Sequence, residues 1–164
     1  MRRKDREISD VDAMLKIIAD NKVCRLGLSA SDQPYIIPLN YGYSFENNVL
    51  TLFFHSANEG KKLEMIKKNN RACFEIDCDG QLIEGDEPCE HGFSFKSIIG
   101  TGKIILLDTI NEKINALNKL IQHQTGKTKS HNFDQNAIKQ VTIYKLTVEQ
   151  FTGKEHRKSI PATV

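Results

Sequence analysis

The chain has 164 residues, 39% of them hydrophobic and 27% charged, and a formal net charge of +2. That length suffices for one domain with a real core, and the charge is too small to indicate nucleic acid. No apolar run is long enough to cross a bilayer, and the basic start Met1-Arg2-Arg3-Lys4 has no apolar stretch behind it to act as an export signal. The expectation is one cytoplasmic domain over 1–164, with a polar tail from about 152 and no nucleic-acid or membrane partner.

Ser9 or Asp10 can cap a first helix, whose apolar residues Val11, Met14, Leu15 and Ile18 keep the helical period until Asp20-Asn21. Strand patterns follow at 23–29, 35–43 and 49–55, separated by turn-forming stretches at 30–34 and 44–48, so two successive hairpins in an antiparallel meander are predicted. Ser56 and Glu59 have capping-box spacing ahead of a helix with Leu63 and Ile66 inward, closed by Asn69-Asn70. Residues 71–77 alternate as a half-exposed strand, and 78–92 read as a polar loop. The β-rich stretch 93–107 contains Gly100-Thr101-Gly102, which permits a bulge, a bend or a close approach. Thr109 and Glu112 make a second capping box, before a helix with Ile114, Leu117, Leu120 and Ile121 inward. Residues 124–136 are loop-like, 140–148 alternate cleanly as a strand, and Thr152 to Lys158 has no core pattern.

About six strands against three helical patterns indicate a mainly β, α+β chain whose antiparallel sheet closes into a barrel to hide its edges. No G-x-G-x-x-G follows a strand and there is no P-loop. Cys24, Cys73, Cys78 and Cys89 are unevenly spaced, which makes reduced thiols the expectation. Cys73, Cys78, Cys89 and His91 match no tight zinc knuckle, so no metal is expected.

The most informative feature is Lys61-Lys62 in the first turn of a helix, where the macrodipole is already positive and unpaired N–H groups point outward. A phosphate removes that conflict, with Ser56 as hydroxyl donor, Gly60 allowing close backbone approach and both lysines as charge partners. A solvated lysine-rich helix accounts for the spacing about as well. His55 ends the apolar strand beside this turn and can hydrogen-bond, stack on a ring or shuttle a proton; a partly buried histidine with a satisfied backbone bond is the alternative. Asn40 and Tyr41 would lie beside His55 if their strands pair as a hairpin, where an amide and a phenol suit the polar edge of a heterocycle, unless they are ordinary rim residues. Pro38 inside a strand implies an edge, a bulge or an N–H-free position facing something else.

The run Ile37-Pro38-Leu39-Asn40-Tyr41-Gly42-Tyr43, then Phe53-Phe54-His55-Ser56-Ala57-x-x-Gly60-Lys61-Lys62, Cys73-Phe74-Glu75-Ile76-Asp77 and Ser97-Ile98-Ile99-Gly100-x-Gly102-Lys103, resembles the pyridoxamine 5′-phosphate oxidase-like superfamily. The opening Met1-Arg2-Arg3-Lys4-x-Arg6 and the late Thr152-Gly153-Lys154 are similar to its Nim-type group, the nitroimidazole-resistance proteins. The resemblance implies an FMN-binding split β-barrel with a few flanking helices, forming a homodimer with FMN in clefts at the subunit interface. By position, Pro38, Leu39, Asn40 and Tyr41 would line the isoalloxazine, His55 and Ser56 would lie against the ring and ribityl chain, and Lys61 and Lys62 would hold the phosphate. Ser97 and Ile98 would approach the flavin from the later strand. The chain departs from true pyridoxamine phosphate oxidases: Ile36 or Ile37 stands where their strand opens with arginine, and Thr152 to Val164 lacks their arginine and histidine motif.

The resulting expectation is an FMN-dependent reductase of small acceptors such as nitroimidazoles, with NADH or NADPH as donor and His55 on the reacting side as proton donor or substrate orienter. A flavin- or haem-binding protein without turnover and an FMN-dependent oxidase are the alternatives, because one fold hosts many functions.

Overall fold

The computed structural model describes residues 3–157. In chain order its elements are β1 (Glu7–Ile8), α1 (Val11–Asp20), β2 (Val23–Ala30), β3 (Gln33–Asn40), β4 (Gly42–Glu46), β5 (Val49–Ala57), α2 (Lys61–Lys68), β6 (Arg71–Ile83), β7 (Gly92–Leu106), α3 (Ile110–Thr125), α4 (Gln135–Lys139) and β8 (Val141–His156), with short 3₁₀ turns at Lys4–Arg6 and Pro88–Glu90. They group into two units. The first comprises 3–21, 76–99 and 152–157; the second comprises Lys22–Glu75 and Gly100–Phe151, so β6, β7 and β8 each change unit partway along.

In the second unit the strand order is β3-β2-β6-β7-β8-β5-β4. The two expected hairpins form, β2–β3 and β4–β5, but they share no strand and so make no continuous meander. Residues 35–43 are two strands: β3 pairs with β2 through Leu26↔Ile37 and Val23↔Asn40, and β4 pairs with β5 through Gly42↔Phe53. Tyr41 alone joins β3 to β4, yet these strands stand at opposite ends of the order. A one-residue link cannot span an open sheet, so the sheet curls until its ends meet, as a barrel does. The two hairpin turns are tight because Ser31, Asp32, Asn47 and Asn48 all accept positive φ, as a two-residue primed turn requires.

The core of this unit includes Leu26, Leu52, Phe54, Phe74, Tyr144 and Leu146, each fully or nearly fully buried. Gly100 and Gly102 are where strands come closest: a Cβ at Gly102 would lie 2.1 Å from the Thr147 carbonyl oxygen, and one at Gly100 would lie 2.4 Å from the Phe74 ring. Close approach, among the three readings of that motif, is thus its role. Burial and the neighbouring Glu75 push the Cys24 thiol pKa up to about 12, which keeps it an inert, protonated core group. Tyr144 stacks on Phe54 at 5.5 Å, and its buried hydroxyl has no hydrogen-bond partner among the described residues.

Capping behaves as expected at two helices. Asp10 accepts from Asp12 N at the start of α1, and Thr109 and Glu112 form a reciprocal capping box on α3. α3 runs on to Thr125 and ends at Gly126 in the left-handed conformation, with Ala116, Leu120 and His123 as its buried stripe. Ile114, Leu117 and Ile121 are only half-buried.

In the first unit two corrections arise. β6 continues to Ile83, so the polar loop is confined to 84–91. Thr152–His156 complete β8 rather than forming a tail, because β1 pairs with them through Glu7↔Lys154 and Ile8↔Gly153. Gly153 permits this: a Cβ there would meet Met14 Cγ at 2.8 Å and Ile8 Cβ at 2.9 Å. Met1, Arg2 and Lys158 lie outside the described residues.

Candidate functional site

The turn after β5 carries the densest set of predicted site residues. α2 begins at Lys61, its N-cap is Gly60, and no side chain caps it, so Ser56 and Glu59 do not form the expected capping box. Ser56 is still in β5, 8% exposed, and its hydroxyl donates to the Ala57 carbonyl at 2.9 Å. That bond commits the proton Ser56 was expected to offer an anion. What the turn does offer is backbone: the Gly60 carbonyl accepts from Leu63 N at 2.9 Å and Glu64 N at 3.2 Å, while the N–H groups of Lys61 and Lys62 precede the first intrahelical bond. Gly60 has φ +122, a region closed to side chains, and a Cβ there would find nothing within 4 Å. An open, uncapped, doubly cationic helix start fits a phosphate.

Two further observations relate the lysines to their surroundings. The Lys61 ammonium lies 4.8 Å from the centre of the Tyr35 ring, which brings the start of α2 onto β3. Partial burial lowers the pKa of Lys62. Desolvation, then the charge of Lys62, lowers that of His55. The protonated form of His55, which pairs with Ile143 on β8, is therefore disfavoured by burial and by the charge of Lys62. The turn itself is braced by Asn58, whose Nδ2 donates to the Lys139 carbonyl and whose Oδ1 accepts from Thr142 Oγ1, each at 2.9 Å.

The depressed pKa of His55 has a consequence for stability. The unfolded chain takes up the proton more readily, so the contribution of His55 to folding is whole above about pH 6.5 and is lost as pH falls below that value. His55→Gln is expected to flatten the acid side of the stability profile without changing the neutral side. Urea midpoints for both proteins on either side of pH 6.5 measure this, and parallel profiles would refute it.

On β3 side chains alternate: Pro34, Ile36, Pro38 and Asn40 are exposed, Tyr35, Ile37 and Leu39 half-buried. β3 ends the strand order, so Pro38 marks an edge, where a missing N–H breaks no ladder bond. Asn40 and Tyr41 are not cross-strand partners of His55, since the β4–β5 pairing stops at Gly42↔Phe53. Tyr41 is fully buried with its ring 4.6 Å from that of His123, so its phenol is no rim group. Ser97, half-buried, and Ile98, buried, lie on the part of β7 that belongs to the first unit. Among the described residues no group of three or more His, Cys, Asp or Glu side chains could hold a metal ion, and no helix is long and apolar enough to cross a membrane.

Tyr35, Asn58, His123 and Gln124 were missed by the sequence reading. A signal existed for the last two, because His123 completes the stripe of Ala116 and Leu120 and carries a polar neighbour past the expected helix end.

Comparison with protein families matches residues 10–155 to pyridoxamine 5′-phosphate oxidase. The chain belongs to this family. The barrel of a pyridoxamine 5′-phosphate oxidase-like protein, a split β-barrel, accounts for the curled antiparallel sheet with few helices. A candidate 5-nitroimidazole antibiotic resistance protein of Bacteroides thetaiotaomicron has a similar structure, with a TM-score of 0.78, 29% identity, and coverage of 91% of this chain and 86% of that one. An FAD-binding protein of Mesorhizobium loti gives 0.67 at 25% identity over 93% of this chain and 98% of that one. An FAD and heme binding protein of Mycobacterium smegmatis, at 12% identity, shares the fold with a TM-score of 0.79 over 96% and 77%. Comparison with curated proteins finds no match.

Proposed function

We propose that this pyridoxamine 5′-phosphate oxidase-like protein is an FMN-dependent oxidoreductase that reduces small acceptors, nitroimidazole or other nitroaromatic compounds among them, with NADH or NADPH as electron donor. The observation that carries the reading is the pair Lys61 and Lys62 at the start of α2, which no side chain caps, one turn from His55, in a family whose relatives include named flavin binders. When bound, the flavin supplies reversible one- and two-electron transfer. The chain does the rest. Lys61 and Lys62 bind the phosphate with the N–H groups of their own turn, Asn58 holds that turn, and β3 flanks the ring with Pro38, Leu39 and Asn40. His55 lies on the reacting side and orients the acceptor through its ring N–H, a role open to the uncharged ring that its lowered pKa favours.

A homodimer with the flavin at the subunit interface belongs to the same reading. Its support is a groove of 520 Å³ in the second unit, lined by Leu28, Pro34, Ile36, Ala72 and Cys73 with Arg71 and Gln150 among its polar residues, and with Ile36 70% exposed. A second copy would cover the apolar residues exposed there.

The test is spectroscopic. The purified protein is expected to show a flavin band that bleaches with NADH or NADPH without oxygen and recovers on adding a nitroaromatic. A flavin that stays oxidised, or a Soret band in its place, overturns the reductase.

A further inference from the structure

The corner between β3 and β4 is held by a hydrogen-bond network whose pattern fixes which atoms point where. Gln124 Nε2 donates to the carbonyls of Lys22 at 3.1 Å and Tyr41 at 2.9 Å. Carbonyl oxygens only accept, so the end of the Gln124 amide that faces them is its nitrogen, and Oε1 is left for another neighbour. That neighbour is Asn40: its Nδ2 donates to Gln124 Oε1 at 3.1 Å and to the Lys22 carbonyl at 3.0 Å. Both hydrogens of the Asn40 amide are committed to this corner, and the atom that remains is Oδ1, an acceptor.

Further contacts brace the same corner. His123 Nδ1 also bonds the Tyr41 carbonyl, at 2.7 Å, and Lys22 Nζ donates to the His123 carbonyl at 2.6 Å. Tyr43 meets the His123 ring edge-on at 5.1 Å. Asn40 itself is exposed, on the edge strand.

We propose that Asn40 is a fixed hydrogen-bond acceptor that selects heterocycles presenting an imide N–H, and that Gln124 is the positioning residue that holds it so. This rests on the reading that the site takes a flavin, whose pyrimidine edge carries one N–H between two carbonyls. An asparagine free to turn over would offer NH₂ or oxygen at will and accept either kind of edge. A locked one leaves its oxygen unpaired when the ligand N–H is replaced by N–CH₃, and adds a steric conflict.

The test compares FMN with N3-methyl-FMN by fluorescence titration. Wild-type protein is expected to prefer FMN by roughly tenfold or more, as loss of one well-placed hydrogen bond implies. Gln124→Ala should keep FMN affinity within several-fold and lose most of the preference, with an unchanged circular dichroism spectrum; Asn40→Ala should lose the preference too. Equal binding of both flavins by wild type, or a preference that survives Gln124→Ala, overturns this inference alone. Wild type that binds neither flavin overturns the flavin reading and the inference with it. The wild-type comparison stands even if the variants do not fold.

Discussion

Replacing Lys61 and Lys62 together by Ala is expected to weaken FMN binding by about two to three orders of magnitude, because each lysine contributes a charge-assisted hydrogen bond to phosphate. Riboflavin, which lacks the phosphate, should lose no more than a few-fold. The two lysines do different things. Lys62 is half-buried and its pKa is lowered by burial, so the free protein holds a partly desolvated charge there that an anion stabilises. Lys61 is exposed and rests on the Tyr35 ring, from which it can swing to the same anion. Lys62→Ala alone should therefore cost more than Lys61→Ala alone. It should also raise the pKa of His55, since the ammonium that opposes its protonation is gone. Isothermal titration with the two flavins, and proton NMR of the His55 ring, provide the readings. Equal loss of FMN and riboflavin would mean that the turn had unfolded and that no phosphate is held there.

Gly42→Ala is expected to be strongly destabilising, because the added methyl meets helix backbone. A Cβ at Gly42 would lie 2.4 Å from Leu120 N and 2.6 Å from Leu120 Cα and the Lys119 carbonyl carbon, all backbone atoms of α3. No rotamer relieves such a contact. α3 as a whole must move off β4, which places the cost at the top of the overpacking range, about 3 kcal/mol or more, or roughly 6–12 °C in melting temperature for a chain of this size. The same shift carries His123 and Gln124 away from the Tyr41 carbonyl, so the preference for FMN over N3-methyl-FMN should be lost along with stability. Gly126→Ala is the control: its φ is +70 and nothing lies within 4 Å of the added carbon, so about 1–2 kcal/mol of backbone strain is all it should show. Urea denaturation of the three proteins separates the two effects. A Gly42→Ala protein as stable as wild type would mean that α3 is not seated on β4 in this way.

Local chemistry was legible along the chain. Asp10, Thr109 and Glu112 cap helices as their side chains dictate, the alternation of 140–148 gives a strand that begins at Val141, and Lys61-Lys62 open a helix whose first turn is electrostatically unsatisfied. The family could be read as well, since its motifs run through the chain in order and the match covers 10–155. Where one residue had two local options, the sequence was mute. Ser56 has a capping-box partner in Glu59, but β8 pairs with β5 as far as Ala57 and draws Ser56 into the sheet, leaving the cap to Gly60. Residues 35–43 are continuously strand-like, and only closure of the sheet breaks them at Tyr41, because β3 and β4 must join opposite ends of the strand order. Thr152–His156 lack a core pattern, and the pairing partner that makes them a strand is β1, about 146 residues earlier in the chain.

The residue types and their spacing determined the helix caps, the turn-forming pairs, the cationic helix start and the family, because each depends on interactions within a few positions of the chain. Which way the Asn40 amide faces, whether the Tyr41 phenol reaches a ligand and what limits Gly42 were decided only when α3 settled against the β3–β4 corner. Those properties are set by atoms that are 80 residues or so apart in sequence and meet through burial and hydrogen bonding.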